Sequence, residues 1–210
     1  MKQLKLLIAA LIAFVPFAAN AGLIEVFQDG SQINTLADAD ALIALGSPVA
    51  TANSNTIEFD DLGDGTRGNF SLNKPFPGGV LNDFVVRVTG LLQVWSGGMT
   101  GHYLGINHDD GARLTLAGVT VEADGVVDNR NTLIGPFAAG VLTPGFYELE
   151  IVFFERAGGA SLELFAQAID GQPYLLRRLH DPLPVPEPGT LALLGLGLAG
   201  LGFSRRNKKA

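Results

Sequence analysis

Turn signals recur between residues 83 and 169 too often for long helices to form. Asp83–Trp95 (DFVVRVTGLLQVW) is β-branched and apolar, and His102–His108 (HYLGINH) and Ala112–Leu116 (ARLTL) are shorter runs around Asp109-Asp110-Gly111. Val119–Ala123 and Val126–Asp128 flank Asp124-Gly125, a hairpin signal. Thr143-Pro144-Gly145 is a second turn. After it, Tyr147, Leu149, Ile151 and Phe153 point one way and Glu148, Glu150 and Glu155 are expected on the opposite or solvated side, with the period of two that a strand requires holding as far as Glu150. Val152 and Phe154 break the polar side, so this end of the strand is expected to be covered on both faces. Gly158-Gly159 makes a loop, and Ser161–Ile169 returns with Leu162, Leu164, Ala166 and Ala168 inward. One helix is expected at Thr35–Leu45, with Thr35 as cap, Asp38 in the first turn and Gly46 ahead of Pro48. No internal repeat is visible. The expected class is all-β, an antiparallel sandwich or barrel with one short N-terminal helix.

Composition narrows the chemistry. The chain of 210 residues has no cysteine, which excludes a disulfide scaffold, a zinc-thiolate site, an iron–sulfur cluster and a cysteine nucleophile. Residues 22–186 hold 20 acidic and 8 basic residues, a net of −12, which disfavours a nucleic-acid partner. An apolar fraction of 47% argues against a long disordered acidic tail.

Both ends read as processing signals. Lys2 and Lys5 precede an apolar run, Leu6–Phe17, and Ala19-Asn20-Ala21 is a small-x-small cleavage site. Residues 1–21 are therefore expected to be a signal peptide read by the Sec translocon, with cleavage between Ala21 and Gly22. The apolar run is too short to span about 30 Å of hydrocarbon. At the other end, Pro186-Glu187-Pro188 is followed by a Leu/Gly/Ala run through Phe203 and by Arg205, Arg206, Lys208 and Lys209. The run reads as a short transmembrane helix, with its basic end held in the cytoplasm.

This tail resembles the PEP-CTERM sorting signal of Gram-negative bacteria in all three parts. The resemblance implies export across the inner membrane and transient residence there. It also implies recognition by an exosortase, removal of the tail and a final place at the cell surface or outside the cell. Such systems commonly accompany exopolysaccharide, so a biofilm matrix is an expected setting. The Leu-Pro-x-Thr-Gly motif of the Gram-positive sortase route is absent. The expected division is 1–21 signal peptide, 22–175 β-domain, 176–185 linker and 186–210 sorting signal.

The body carries a second resemblance. GINHDDGARLTLAGV (105–119), VVDN (126–129) and LTPGFYELEIVFFERAGGASLEL (142–164) occur in the order of the PA-fourteen family, the β-barrel module named after anthrax protective antigen. NDFVVRVTGLL (82–92) matches the strand before them, whereas GGMTGHYLGI (97–106) follows the family pattern only in part. In lectin-like members the Asp pair holds Ca²⁺, which in turn coordinates sugar hydroxyls. The resemblance implies that role for Asp109 and Asp110, with further oxygens from the loop at Glu155–Gly159 and Glu155 as its side chain.

The residues themselves allow that chemistry. Adjacent carboxylates repel unless a cation or donors compensate, and Ca²⁺ takes six to eight oxygens. The Asn107 amide is a further candidate oxygen, and Arg156 could hydrogen-bond to a sugar. The alternative is a structural Asp-Gly turn, with Asp110 capping backbone donors and Arg113 paired with a carboxylate. Asp60-Asp61 reads as a solvated acidic loop, because the following residues miss the helix-loop-helix calcium pattern. His102 and His108 lack a third ligand nearby and read as surface histidines. Trp95 and Phe154 read as core. No nucleophile elbow, phosphate loop or distinct acid/base pair is present, so an enzyme is not expected. The expected function is a Ca²⁺-assisted glycan-binding surface protein. A ligand-free structural protein and a carbohydrate-active enzyme stand as alternatives.

Overall fold

The computed structural model describes residues 22–62, 74–94, 102–126, 131–134, 143–168, 173–175 and 179–180. The expected signal peptide with Ala21, the sorting motif with Pro186, Glu187 and Pro188, the run expected to span the membrane, and Trp95 lie outside these residues. Among the described residues no helix is long and apolar enough to cross a membrane.

The elements in chain order are β1 (Gly22–Phe27), α1 (Leu36–Leu45), β2 (Ala50–Ser54), β3 (Glu58–Asp60), β4 (Lys74–Pro75) and β5 (Phe84–Val94). Then come β6 (His102–Asp109), β7 (Gly111–Leu116), β8 (Val119–Ala123), β9 (Asn131–Ile134), β10 (Gly145–Glu155), β11 (Ser161–Ala168), β12 (Pro173–Leu175) and β13 (Leu179–His180). They build two sheets. The first runs β2-β1-β5-β10-β7-β8, with β13 also on β5; the second runs β4-β3-β11-β6-β9, with β12 on β11. Every pairing is antiparallel except the short β3–β4 contact. The architecture is the antiparallel sandwich expected of the turn-rich pattern. Pairing of β13 with Leu91 and Leu92 carries the first sheet to His180, inside the stretch read as linker.

Period-two burial explains the packing. Leu149, Ile151 and Phe153 of β10 face the second sheet, where they meet Leu104 and Ile106 of β6 and Leu162, Leu164 and Ala166 of β11. Phe76 fills the centre, with ring centroids 5.6 Å from Phe59, 5.0 Å from Phe84 and 5.6 Å from Phe153. Each such fully buried side chain contributes about 1.5–3 kcal/mol.

The opposite face of β10 is apolar only near its end, and α1 covers it there. Leu36, Ala39 and Leu42 lie at helical spacing and pack on Phe27, Val85, Val152 and Phe154. This is the second cover that Val152 and Phe154 require. Thr35 and Asp38 form a reciprocal capping box at the start of α1. Asp124, from the turn after β8, accepts a 2.6 Å hydrogen bond from the Leu36 amide. Arg113 of β7 clamps Asp40 through bonds of 2.9 and 2.6 Å. The helix is thus tied to the sheet by an apolar face, a cap and an ion pair.

Candidate metal centre at one end of the sandwich

Three strand ends meet at one edge of the core. β6 ends at Asp109, β10 at Glu155, and β3 ends at Asp60 with Asp61 following. The inward series Leu149, Ile151, Phe153 continues by alternation to Glu155, so the strand delivers a carboxylate where the core would take a hydrocarbon. Glu155 is 1% exposed, and neither of its carboxylate oxygens has a hydrogen-bond partner. Asp109, Asp110 and Glu155 each offer an oxygen, and the three lie within 4.8 Å of one another. The Asp109–Asp110 peptide is cis.

Asp110 is 1% exposed. It accepts a 2.9 Å hydrogen bond from the Arg156 amide and gives its own carbonyl to His108 Nδ1. Arg156 therefore meets the site through its backbone; its carbonyl accepts from the Asp83 amide at 3.0 Å. Asn107 sits in a separate polar row. It donates to Glu163 Oε2 at 2.9 Å and accepts from the Thr132 hydroxyl at 2.9 Å. The structure thus brings together Asp109, Asp110 and Glu155, while the Asn107 amide is already bonded at both ends.

Burial pushes the Glu155 carboxyl up to about 9, and the neighbouring charges of Asp110, Asp109 and Asp61 push the same way. The Asp110 amide offsets this slightly but falls short of hydrogen-bonding geometry. Burial also lowers the His108 pKa, with the Asp110 carbonyl and charge opposing. These two shifts define a pH dependence for the cation-free protein. Glu155 titrates higher in the folded chain than at its ordinary 4.5, so its contribution is lost as pH rises between about 4.5 and 9. A neutral buried His108 has the opposite sign, since its contribution is lost as pH falls below 6.5. Between pH 6.5 and 9 the glutamate acts alone. In EDTA, stability is expected to fall by up to about 1.4 kcal/mol per pH unit across that window. Chemical denaturation of the wild type and Glu155→Gln checks this. A profile no steeper in the wild type would contradict the burial of an unpaired carboxylate.

The structure corrects four sequence readings. Glu155 does not lie on the solvated side with Glu148 and Glu150, because it continues the inward series of β10 and is buried. Asp60-Asp61 is not a solvated loop: Asp60 closes β3 and is fully buried, and Asp61 acts electrostatically on Glu155. His108 is not a surface histidine, because strand alternation turns it with Leu104 and Ile106 into the core. Asn107 has its amide engaged in the second sheet rather than turned to the carboxylate cluster. A period-two signal for Asp60 was present in Ile57 and Phe59, whose inward alternation makes Asp60 the next outward strand position. Nothing in the sequence says that β3 and β6 end on either side of β11. Both marks of a purely structural turn also occur, in Asp110 with the Arg156 amide and Arg113 with Asp40. That reading leaves the two bare oxygens of Glu155 unexplained.

A two-layer antiparallel sandwich of this topology, with an Asp-Asp pair at one end, has the fold of PA14 domains. It superposes on the PA14 domain of the MpAFP antifreeze protein with a TM-score of 0.55 at 14% identity, covering 80% of this chain and 94% of that one. It superposes equally, at 0.55 and 21% identity, on the PA14 sugar-binding domain from an RTX adhesin, covering 78% and 99%. The Epithelial Adhesin 9 A domain from Candida glabrata, in complex with Galβ1-4GlcNAc, gives 0.50 at 11% identity, covering 78% and 91%. No curated protein matches the chain in sequence. Residues 184–206 match the PEP-CTERM protein-sorting motif, which marks a chain for export, exosortase recognition and sorting to the cell surface.

Proposed function

We propose that this is an exported surface protein whose sandwich holds Ca²⁺ through Asp109, Asp110 and Glu155 and uses it to bind neutral glycan of the extracellular matrix. The observation that carries this reading is Glu155, a buried carboxylate with two bare oxygens facing an Asp pair. A hard cation with oxygen preference suits three carboxylates at this separation, and Ca²⁺ accepts irregular shells completed by carbonyls and water. When bound, it supplies open coordination positions for vicinal sugar hydroxyls. The protein's own part is to hold the carboxylates converged, through the Arg156 amide on Asp110 and the close of β10. The sugar-binding RTX adhesin domain and the glycan-bound yeast adhesin support the ligand class by fold alone. Residues 22–175 would form the binding domain and the tail would be removed by an exosortase.

Retention on immobilised neutral exopolysaccharide tests the reading. The purified protein is expected to bind in millimolar Ca²⁺, to elute with EDTA and to lose retention in Asp110→Asn. Absence of retention on a panel of neutral glycans would leave a ligand-free structural surface protein in its place.

A further inference from the structure

Toward the ends of β3 and β6 and the start of β11 the outer face of the second sheet is polar and largely buried, whereas the end of β10 on the outer face of the first sheet is covered by the apolar side of α1. Alternation accounts for its membership. With Ile57, Phe59, Ile106, Leu162 and Leu164 turned inward, Glu58, Asp60, Asn107, Asp109, Ser161 and Glu163 turn outward. Register sorts them into two rows. Glu58, Glu163, Asn107 and Thr132 lie side by side, and so do Asp60, Ser161 and Asp109.

The second row has an unmet group at its centre. Ser161 is 0% exposed, and its hydroxyl oxygen has no hydrogen-bond partner. It pairs in register with Asp60 on one side and Asp109 on the other. Adjacent strands lie about 4.8 Å apart, so the two aspartates flank the serine at roughly 10 Å from each other. A carboxylate reaching inward from each side can place an oxygen about 2.4 Å from an ion above the Ser161 hydroxyl. A buried hydroxyl without a partner, between two carboxylates at that spacing, is the pattern a hard cation satisfies.

Charge points the same way. Asp60, Asp61, Asp109, Asp110 and Glu155 gather at one end of the sandwich, three of them almost wholly buried. The Asp60-Asp61 and Asp109-Asp110 pairs stand on either side of the start of β11. Each sends one member, Asp60 or Asp109, into the serine row.

We propose a second divalent-cation site formed by Asp60, Ser161 and Asp109, with Asp109 shared between it and the Asp110–Glu155 site. It rests on Asp60 and Ser161, which the first site does not use. Two cations bridged by one carboxylate would couple β3, β6 and β10, and so tie the two sheets together at this end.

Equilibrium dialysis of the purified full chain against Ca²⁺, with bound metal measured by elemental analysis, tests this. The wild type is expected to bind two equivalents. Ser161→Ala and Asp60→Asn should each bind one, and Glu155→Gln should also bind one. Ser161→Ala removes only a hydroxyl, so its fold is expected to persist, as circular dichroism will check. One equivalent in the wild type, lost in Glu155→Gln and kept in Ser161→Ala, would overturn this proposal and leave the first site standing. One equivalent lost in Ser161→Ala and kept in Glu155→Gln would support it while removing the first. No bound Ca²⁺ would overturn both.

Discussion

In millimolar Ca²⁺ the protein is expected to melt about 5–11 °C higher than in EDTA, and the difference is expected to vanish in Asp109→Ala/Asp110→Ala. A ligand that binds only the folded state adds about 2.7 kcal/mol at 100 times its dissociation constant. For a chain of this size each kcal/mol raises the melting temperature by about 2–4 °C. The expectation is strong because the unfolded chain has no such site. Asp61, Asp110 and Glu155 are far apart in sequence and converge only where β3, β6 and β10 end. Burial of an unpaired carboxylate also leaves the cation-free fold with a deficit that binding removes. Differential scanning calorimetry at pH 7.5 is the measurement. Equal melting temperatures in Ca²⁺ and EDTA would end the calcium reading, whatever the glycan experiments report.

The second large effect is expected from a single methyl group. Gly111 follows the Asp pair and lies in register with Phe154, whose ring covers it. A Cβ at this position would overlap Phe154 Cε1 and lie 2.6 Å from Cζ. Phe154 cannot yield easily, since it is fully buried beneath α1 with Phe27, Val85 and Val152. Gly111→Ala is therefore expected to destabilise the protein by about 1–3 kcal/mol, as overpacking of a dense core does. Gly111 directly follows Asp110 in the chain, so the Ca²⁺-dependent shift is expected to shrink as well. Phe154→Leu should relieve the overlap, and the double variant should be more stable than the sum of the single effects implies. Urea unfolding of the four proteins gives that coupling energy. A Gly111→Ala effect within about 0.5 kcal/mol of zero would mean that the ring does not depend on the missing side chain.

These two effects sit at different levels of legibility. Asp109-Asp110-Gly111 stands out in the sequence because adjacent acids before a glycine are turn chemistry and ligand chemistry at once. The alternation of Tyr147 to Phe153 identified β10 and its inward face. The same alternation carried on to Glu155 turns it inward, where the structure has it, and away from the solvated side on which its charge suggests it. The dual cover over Val152 and Phe154 was legible as a need, and α1 was legible as a helix. That one meets the other depended on the Arg113–Asp40 clamp and the Asp124 cap, both formed between residues distant in the chain. His108 reads as surface because a lone histidine has no periodic signal of its own. Its neighbours Leu104 and Ile106 decide its direction once the strand is known.

What the sequence by itself determined is local or terminal. Turn residues set the class and marked β5, β6, β7, β8, β10 and β11, period two set the faces of β10 and β11, and the linear motif at residues 184–206 marked the tail for sorting. Such signals depend on neighbours along the chain, so one sequence suffices to read them. Only the tertiary structure decided which strand ends share a corner. It moved Asp60-Asp61 from a solvated loop to the edge of the carboxylate cluster, placed Ser161 between Asp60 and Asp109, and held Asn107 in a different row. Strand order across a sheet comes from burying apolar faces from the whole chain at once, and no local pattern records it.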